Sequence, residues 1–169
     1  MAHVRAATVS ILGEVDCHPF QYKTIHMIHN GDAPEFPKLK RIIRGSLSDE
    51  LYNWIDGKTD SEHLFALFID KLNQRIQHEN TTAKVITYTL EDMMHDLEEI
   101  KKSDRIIDKA YLNMVVTDGE RTVAMRYIIK SKEEEPFSLY FSEGSRYECL
   151  DGACHIMPAE DENKSVMFV

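Results

Sequence analysis

Between Thr59 and His78 the apolar residues Leu64, Phe65, Leu67, Phe68, Leu72 and Ile76 recur three and four positions apart, the spacing of one buried helix face. This pattern predicts a helix over residues 60–78, with Thr59 or Asp60 as its natural N-cap. A face that apolar has to be covered, and the flanking segments show by what. Upstream, Ile25-His26-Met27-Ile28 reads as a strand running into a turn at His29-Asn30-Gly31-Asp32. Pro34 and Pro37 then open a basic helical stretch over 38–44, and Ser48-Asp49-Glu50 can cap a short helix carrying Leu51, Trp54 and Ile55, ended by Gly57. Downstream, Leu90, Met93, Met94, Leu97 and Ile100 mark a helix over 90–102, with Glu91, Asp92, Glu98 and Glu99 on a solvated face.

From Tyr111 the period changes to two. Residues 112–116 and 121–129 flank Thr117-Asp118-Gly119-Glu120, a strong hairpin signal. Strands are also expected at 138–141 and 147–150, after the polar link 132–136. Strands, then helices, then antiparallel strands indicate an α+β layered domain rather than a βαβ repeat. The ends are unusual: residues 3–9 already read as a buried strand, and Ser165–Val169 is another β-prone run. Domains seldom begin and finish inside a sheet, so the expectation is a single partial domain over 1–169.

Composition narrows the function. The formal net charge is −9, which repels a phosphate backbone, so general nucleic-acid binding is disfavoured. No run approaches the roughly 20 apolar residues of a membrane span, and no secretory leader opens the sequence. A cytoplasmic protein with no membrane contact is expected. Cys17, Cys149 and Cys154 lack CxxC spacing, which makes reduced thiols the default.

Three segments carry candidate chemistry. Arg5 lies inside an apolar strand, where a guanidinium is costly unless it meets a carboxylate or an anionic ligand. The Asn30 amide beside the Gly31 N–H makes a pair of donors suited to a developing oxyanion. Asp60 stands at a helix start in Thr59-Asp60-Ser61-Glu62. Each also has an ordinary reading, as a structural ion pair, a turn and a cap respectively. Together a cation, an oxyanion-type pair and an anion would supply what a free amino acid needs, with Arg5 on its carboxylate and Asp60 on its ammonium.

The ordered blocks His3-Val4-Arg5-Ala6-Ala7-Thr8, Cys17-His18-Pro19-Phe20, Met27-Ile28-His29-Asn30-Gly31 and Thr59-Asp60-Ser61-Glu62 resemble the class II glutamine amidotransferases, which are N-terminal-nucleophile hydrolases. The likeness covers residues 1 to about 75 well and the rest loosely. Within the family it is nearest to the branch containing the amidotransferase-like subunit of the glutathione-degradation complex. The resemblance implies part of a four-layer αββα fold and thioester chemistry on the γ-amide of glutamine or on a γ-glutamyl bond such as that of glutathione. The nucleophile would be an N-terminal cysteine whose own α-amino group is the base, with no metal or organic cofactor. It assigns Arg5 to the substrate α-carboxylate, Asp60 to the α-ammonium, and Asn30 with Gly31 to the oxyanion hole. A peptidase-like partner subunit follows from the same branch.

The sequence departs from the family at its start. Ala2 stands where the cysteine would follow the initiator methionine, and the Arg5 motif lies deep inside the domain in the family. The expectation is therefore truncation at the N-terminus, and at the C-terminus too, with the nucleophile absent from this chain. Cys17 and His18 are adjacent on an extended chain and point to opposite sides, so they do not form a catalytic pair. His3, His18, His26 and His29 lack metal-ligand spacing and read as packing or surface residues. The alternative to an amidohydrolase is a non-catalytic glutamyl-binding or regulatory subunit docking on a partner enzyme, for which Lys38–Arg44 would serve as a contact.

Overall fold

The computed structural model of the chain describes residues 13–33, 35–78, 80–103, 109–129, 135–144, 146–150, 152–157 and 165–168; the strand expected over 3–9, Arg5 included, lies outside them. Two compact units divide the chain, Met1–Pro136 and Phe137–Val169. The fold class is α+β, with helices laid against antiparallel sheet.

In the first unit, strands β1 (Phe20–Tyr22), β2 (Ile25–Asp32), β3 (Ala110–Thr117) and β4 (Thr122–Ile129) form one sheet in the order β1-β2-β3-β4. Every pairing is antiparallel. Register puts Phe20 opposite Met27, Met27 opposite Val116 and Val116 opposite Val123, and it aligns His29, Met114 and Met125 in the next row on the same face. Ile25, Met27, Leu112, Met114 and Val116 belong to the core that the helices complete. The β3–β4 hairpin turns through Asp118-Gly119, as its sequence predicts, with Gly119 at φ +96°.

Four helices complete the unit, α1 (Phe36–Ser46), α2 (Asp49–Trp54), α3 (Asp60–Ile76) and α4 (Ala83–Ser103); α3 and α4 lie on the sheet, and α1 and α2 pack on α3. The segment from which the sequence reading started becomes α3, and Thr59 is its N-cap, its hydroxyl accepting from the Glu62 N–H at 3.2 Å. α3 is buried continuously from Ser61 to Asp70, because α1, α2, α4 and strands β1 and β2 pack around it. Polar groups on such a helix need protein partners. Asp70 takes the Ser48 N–H and hydroxyl and the Gln74 amide. Ser48 thus occupies the N-cap position of α2 but spends its hydroxyl on α3 rather than on capping. Ion pairs of Lys71 with Asp96 and Arg75 with Asp92 tie α3 to the acidic face of α4.

Three expectations change. α4 begins at Ala83, seven residues before the position read from sequence, because Val85, Ile86 and Thr89 extend its buried stripe through a β-branched stretch. β2 does not turn at Asn30-Gly31 but stays in the ladder to Asp32, paired with Tyr111. The basic helix is longer than 38–44 at both ends.

The second unit is two antiparallel strand pairs, the inner one in sequence joining consecutive strands. β5 (Phe141–Gly144) lies against β8 (Ser165–Phe168), and β6 (Arg146–Leu150) against β7 (Ala153–Met157). Residues 138–140 precede the strand instead of forming it. Cys149 is disulfide-bonded, against the expectation of reduced thiols, and the register sets Cys149 opposite Cys154; Cys17 is free.

Phe68 is fully buried in α3 at the centre of this core. Phe68→Ala should lower the free energy of unfolding by about 3–5 kcal/mol, read as a shift of the urea midpoint. A loss under about 1 kcal/mol would contradict the placement of α3 at the middle of the fold.

Candidate functional site

The end of β2 and the start of α3 meet where the sequence reading put its candidates. Asn30, Gly31 and Asp32 are exposed, whereas Ala33 just beyond them is buried. Asp60, the first residue of α3, is half-buried. Its Oδ2 accepts the Ala33 N–H at 2.9 Å, and its Oδ1 accepts the Ser61 N–H at 2.8 Å. One carboxylate therefore joins the two elements by backbone donors, at a helix end where the macrodipole favours an anion. Both oxygens retain lone pairs for a ligand's ammonium.

Gly31 is required by contact rather than by a turn. At φ +152°, a Cβ there would overlap the Tyr111 carbonyl oxygen and stand 3.0 Å from His29 Nε2. Asn30 faces Asn113 across the ladder, with Arg126 beyond it, on the sheet face opposite to His29. The structure thus brings Asn30, Gly31 and Asp60 to one edge, while Arg5 lies outside the described residues.

Two residues at this edge were missed as candidates. His29 is 2% exposed, with Nδ1 at 2.9 Å from Ser61 Oγ and Nε2 at 3.2 Å from the Tyr111 carbonyl. Ser61 Oγ also lies 3.4 Å from Asp60 Oδ1. The signal for His29 was its phase: it continues the buried alternation Ile25, Met27 in β2.

Behind Asp60, a buried polar layer fixes the entry to α3. Glu62 Oε1 accepts from the Asp56 and Gly57 N–H groups at 3.0 and 2.9 Å. Asp16 takes the Lys58 and Gly13 N–H groups, each at 3.0 Å. Burial raises the Glu62 carboxyl above its ordinary range, and the Asp16 carboxylate adds to that. Gly57 fits between the two acids, since a Cβ would come within 2.6 Å of Glu62 Oε2 and 2.7 Å of Asp16 Oδ1. His63 is fully buried; its Nδ1–H donates to the Thr59 carbonyl at 2.8 Å, and its Nε2 accepts from Arg44 Nε at 3.0 Å.

Cys17 and His18 are not arranged as a pair. The exposed Cys17 thiol points at the Gly13 carbonyl, 3.7 Å away, and the His18 ring packs edge-on against Phe20. Of the basic stretch, Lys38 pairs with Glu35, Lys40 lies over the Phe36 ring and Arg44 over the Tyr52 ring. These contacts are internal to the unit; Lys38 and Arg41 are exposed, and Lys40 and Arg44 are half-buried. Among the described residues no three His, Cys, Asp or Glu side chains converge as a metal site, and no helix is long and apolar enough to cross a membrane.

A family model described as Glutamine amidotransferases class-II matches residues 1–137. The chain is 36% identical over 177 residues to a Saccharomyces cerevisiae protein named "Probable glutamine amidotransferase DUG3", covering 99% of this chain and 49% of that protein. It therefore spans about half the length of that curated relative. A solved structure of a glutamine aminotransferase class-II domain protein from Silicibacter pomeroyi superposes with a TM-score of 0.56 at 25% identity, covering 75% of this chain and 53% of that one.

The His63 environment gives a pH test. Burial, with Lys40 and Arg44 adding to it, lowers the His63 pKa from 6.5 to about 4, so the fold excludes the proton that the unfolded chain binds. The stability held at neutral pH is therefore lost as pH falls from 6.5 towards 4, by at most about 3 kcal/mol. Urea unfolding of wild type and His63→Gln at pH 7 and 4.5 should show a smaller acid loss in the variant. Equal losses would place His63 in contact with water.

Proposed function

The chain belongs to the class II glutamine amidotransferases, and from that membership we propose that the β2–α3 edge is its glutamyl-binding site. The observation that carries this reading is the Asp60 carboxylate held by the Ala33 N–H, which sets the anion beside the exposed Asn30-Gly31 end of β2. In this reading Asp60 receives the α-ammonium and Arg5 the α-carboxylate of the substrate. Asn30 Nδ2–H and the Gly31 N–H stabilise the oxyanion that forms when a thiolate attacks the side-chain carbonyl. Losing one such donor costs a factor of about 10²–10³ in rate. The closeness of Gly31 to the Tyr111 carbonyl keeps the backbone at this point from relaxing, so the donors are set before the charge develops.

The bond cleaved is the γ-amide of glutamine or a γ-glutamyl amide such as that of glutathione. The two share the amino-acid end that Arg5 and Asp60 would hold, and differ only in the leaving amine. The attacking thiolate is not assigned to Cys17, whose thiol faces a backbone carbonyl, nor to the disulfide-bonded Cys149. Cytoplasmic γ-glutamyl turnover, together with a peptidase-like partner subunit, is the setting proposed.

Calorimetric titration of the chain with L-glutamine and with glutathione tests the assignment. Asp60→Ala and Arg5→Ala should each weaken binding about tenfold or more, the cost of one charge-assisted contact. Glutarate, which lacks the ammonium, should bind weakly to wild type and be indifferent to Asp60→Ala. Unchanged affinity for L-glutamine in both variants would refute the roles.

A further inference from the structure

We propose that His29 and Ser61 are positioning residues, which hold the Asn30-Gly31 end of β2 in register with Asp60 through one buried chain of hydrogen bonds. The inference rests on the site reading given above and adds two residues to it. Both side chains are 2% exposed, so they act through their neighbours rather than by touching the ligand.

Donor chemistry fixes the direction of the chain. The Tyr111 carbonyl only accepts, so His29 Nε2 carries the proton across that 3.2 Å contact. In the neutral ring Nδ1 is then an acceptor, and the Ser61 hydroxyl, 2.9 Å away, gives its one proton to it rather than to Asp60 Oδ1 at 3.4 Å. Ser61 at the same time presents its backbone N–H to Asp60 Oδ1 at 2.8 Å. One residue therefore binds β2 with its side chain and the Asp60 carboxylate with its main chain. Asp60 reaches back to β2 through the Ala33 N–H. The result is a closed circuit, Asp60–Ser61–His29 and along β2 to Ala33, with the Asn30-Gly31 pair inside it.

Gly31 belongs to the same arrangement. A Cβ there would overlap the Tyr111 carbonyl oxygen and stand 3.0 Å from His29 Nε2, so the missing side chain leaves room for the carbonyl that the imidazole meets. Removing the Ser61 hydroxyl breaks the link between the His29 ring and α3, which lets the start of α3 shift against β2. An error of that kind weakens ligand binding even where the fold survives.

Two measurements test this. In the unliganded wild type, two-bond 15N–1H correlation spectra should show His29 as the Nε2–H tautomer; an Nδ1–H tautomer would overturn the circuit. By calorimetry, Ser61→Ala should weaken L-glutamine binding about three- to tenfold, whereas the core variant Leu72→Ala, destabilised but remote from the edge, binds as wild type. His29→Gln should resemble Ser61→Ala. Affinity unchanged in both Ser61→Ala and His29→Gln, or weakened equally in Leu72→Ala, would overturn the positioning role. If Asp60→Ala weakens binding while Ser61→Ala does not, the positioning proposal alone fails. If Asp60→Ala also binds as wild type, or wild type shows no binding, the site reading fails with it.

Discussion

Burial of α3 on every side from Ser61 to Asp70 is the constraint from which the rest of this fold follows. Between Ser61 and Asp70 the helix, surrounded by α1, α2, α4 and the sheet, has no wet face, so each polar residue there must find its partner in the protein. Ser61 meets His29, Glu62 meets the Asp56 and Gly57 amides, His63 meets Thr59 and Arg44, and Asp70 meets Ser48 and Gln74. Three of those four residues lie in the first turn. The density of fixed polar contacts is therefore greatest where Asp60 emerges, and the site inherits its rigidity from the packing requirement of the core.

The two carboxylates behind the site add a second feature of the same kind. Asp16 and Glu62 both accept backbone N–H groups from the short link before α3, and they close on Gly57 from two sides. The cost of burying the two acids together shows in the raised proton affinity of Glu62 and is offset by those donors. A loop between two helices is thereby held as firmly as a strand.

Much of the fold was legible in the sequence, for reasons that can be given residue by residue. α3 announced itself through a stripe too regular to be a strand, and the β3–β4 hairpin through Asp118-Gly119. α4 lost its first turns because Val85, Ile86, Thr87 and Thr89 carry strand propensity that packing overrides. At Asn30-Gly31 the glycine was read as a turn, when its use is close approach of Tyr111. Of the candidate residues, Asn30, Gly31 and Asp60 were visible because each sits at the end of a well-marked element. The sequence shows Ser61 only as part of the helix start Thr59-Asp60-Ser61-Glu62, and His29 only where the strand reads as running into a turn. Their partnership spans 32 positions, and no local pattern encodes it.

That separation has a kinetic consequence. The His29–Tyr111 contact bridges 82 positions and depends on the β2–β3 ladder, a non-local pairing that forms late in folding because loop closure must come first. Until β3 docks, His29 lacks its carbonyl, Gly31 has nothing to approach, and the edge beside Asp60 is undefined. On the proposed reading, a glutamyl ligand would thus recognise the finished molecule alone, and by mass action would stabilise it against any state that lacks β3.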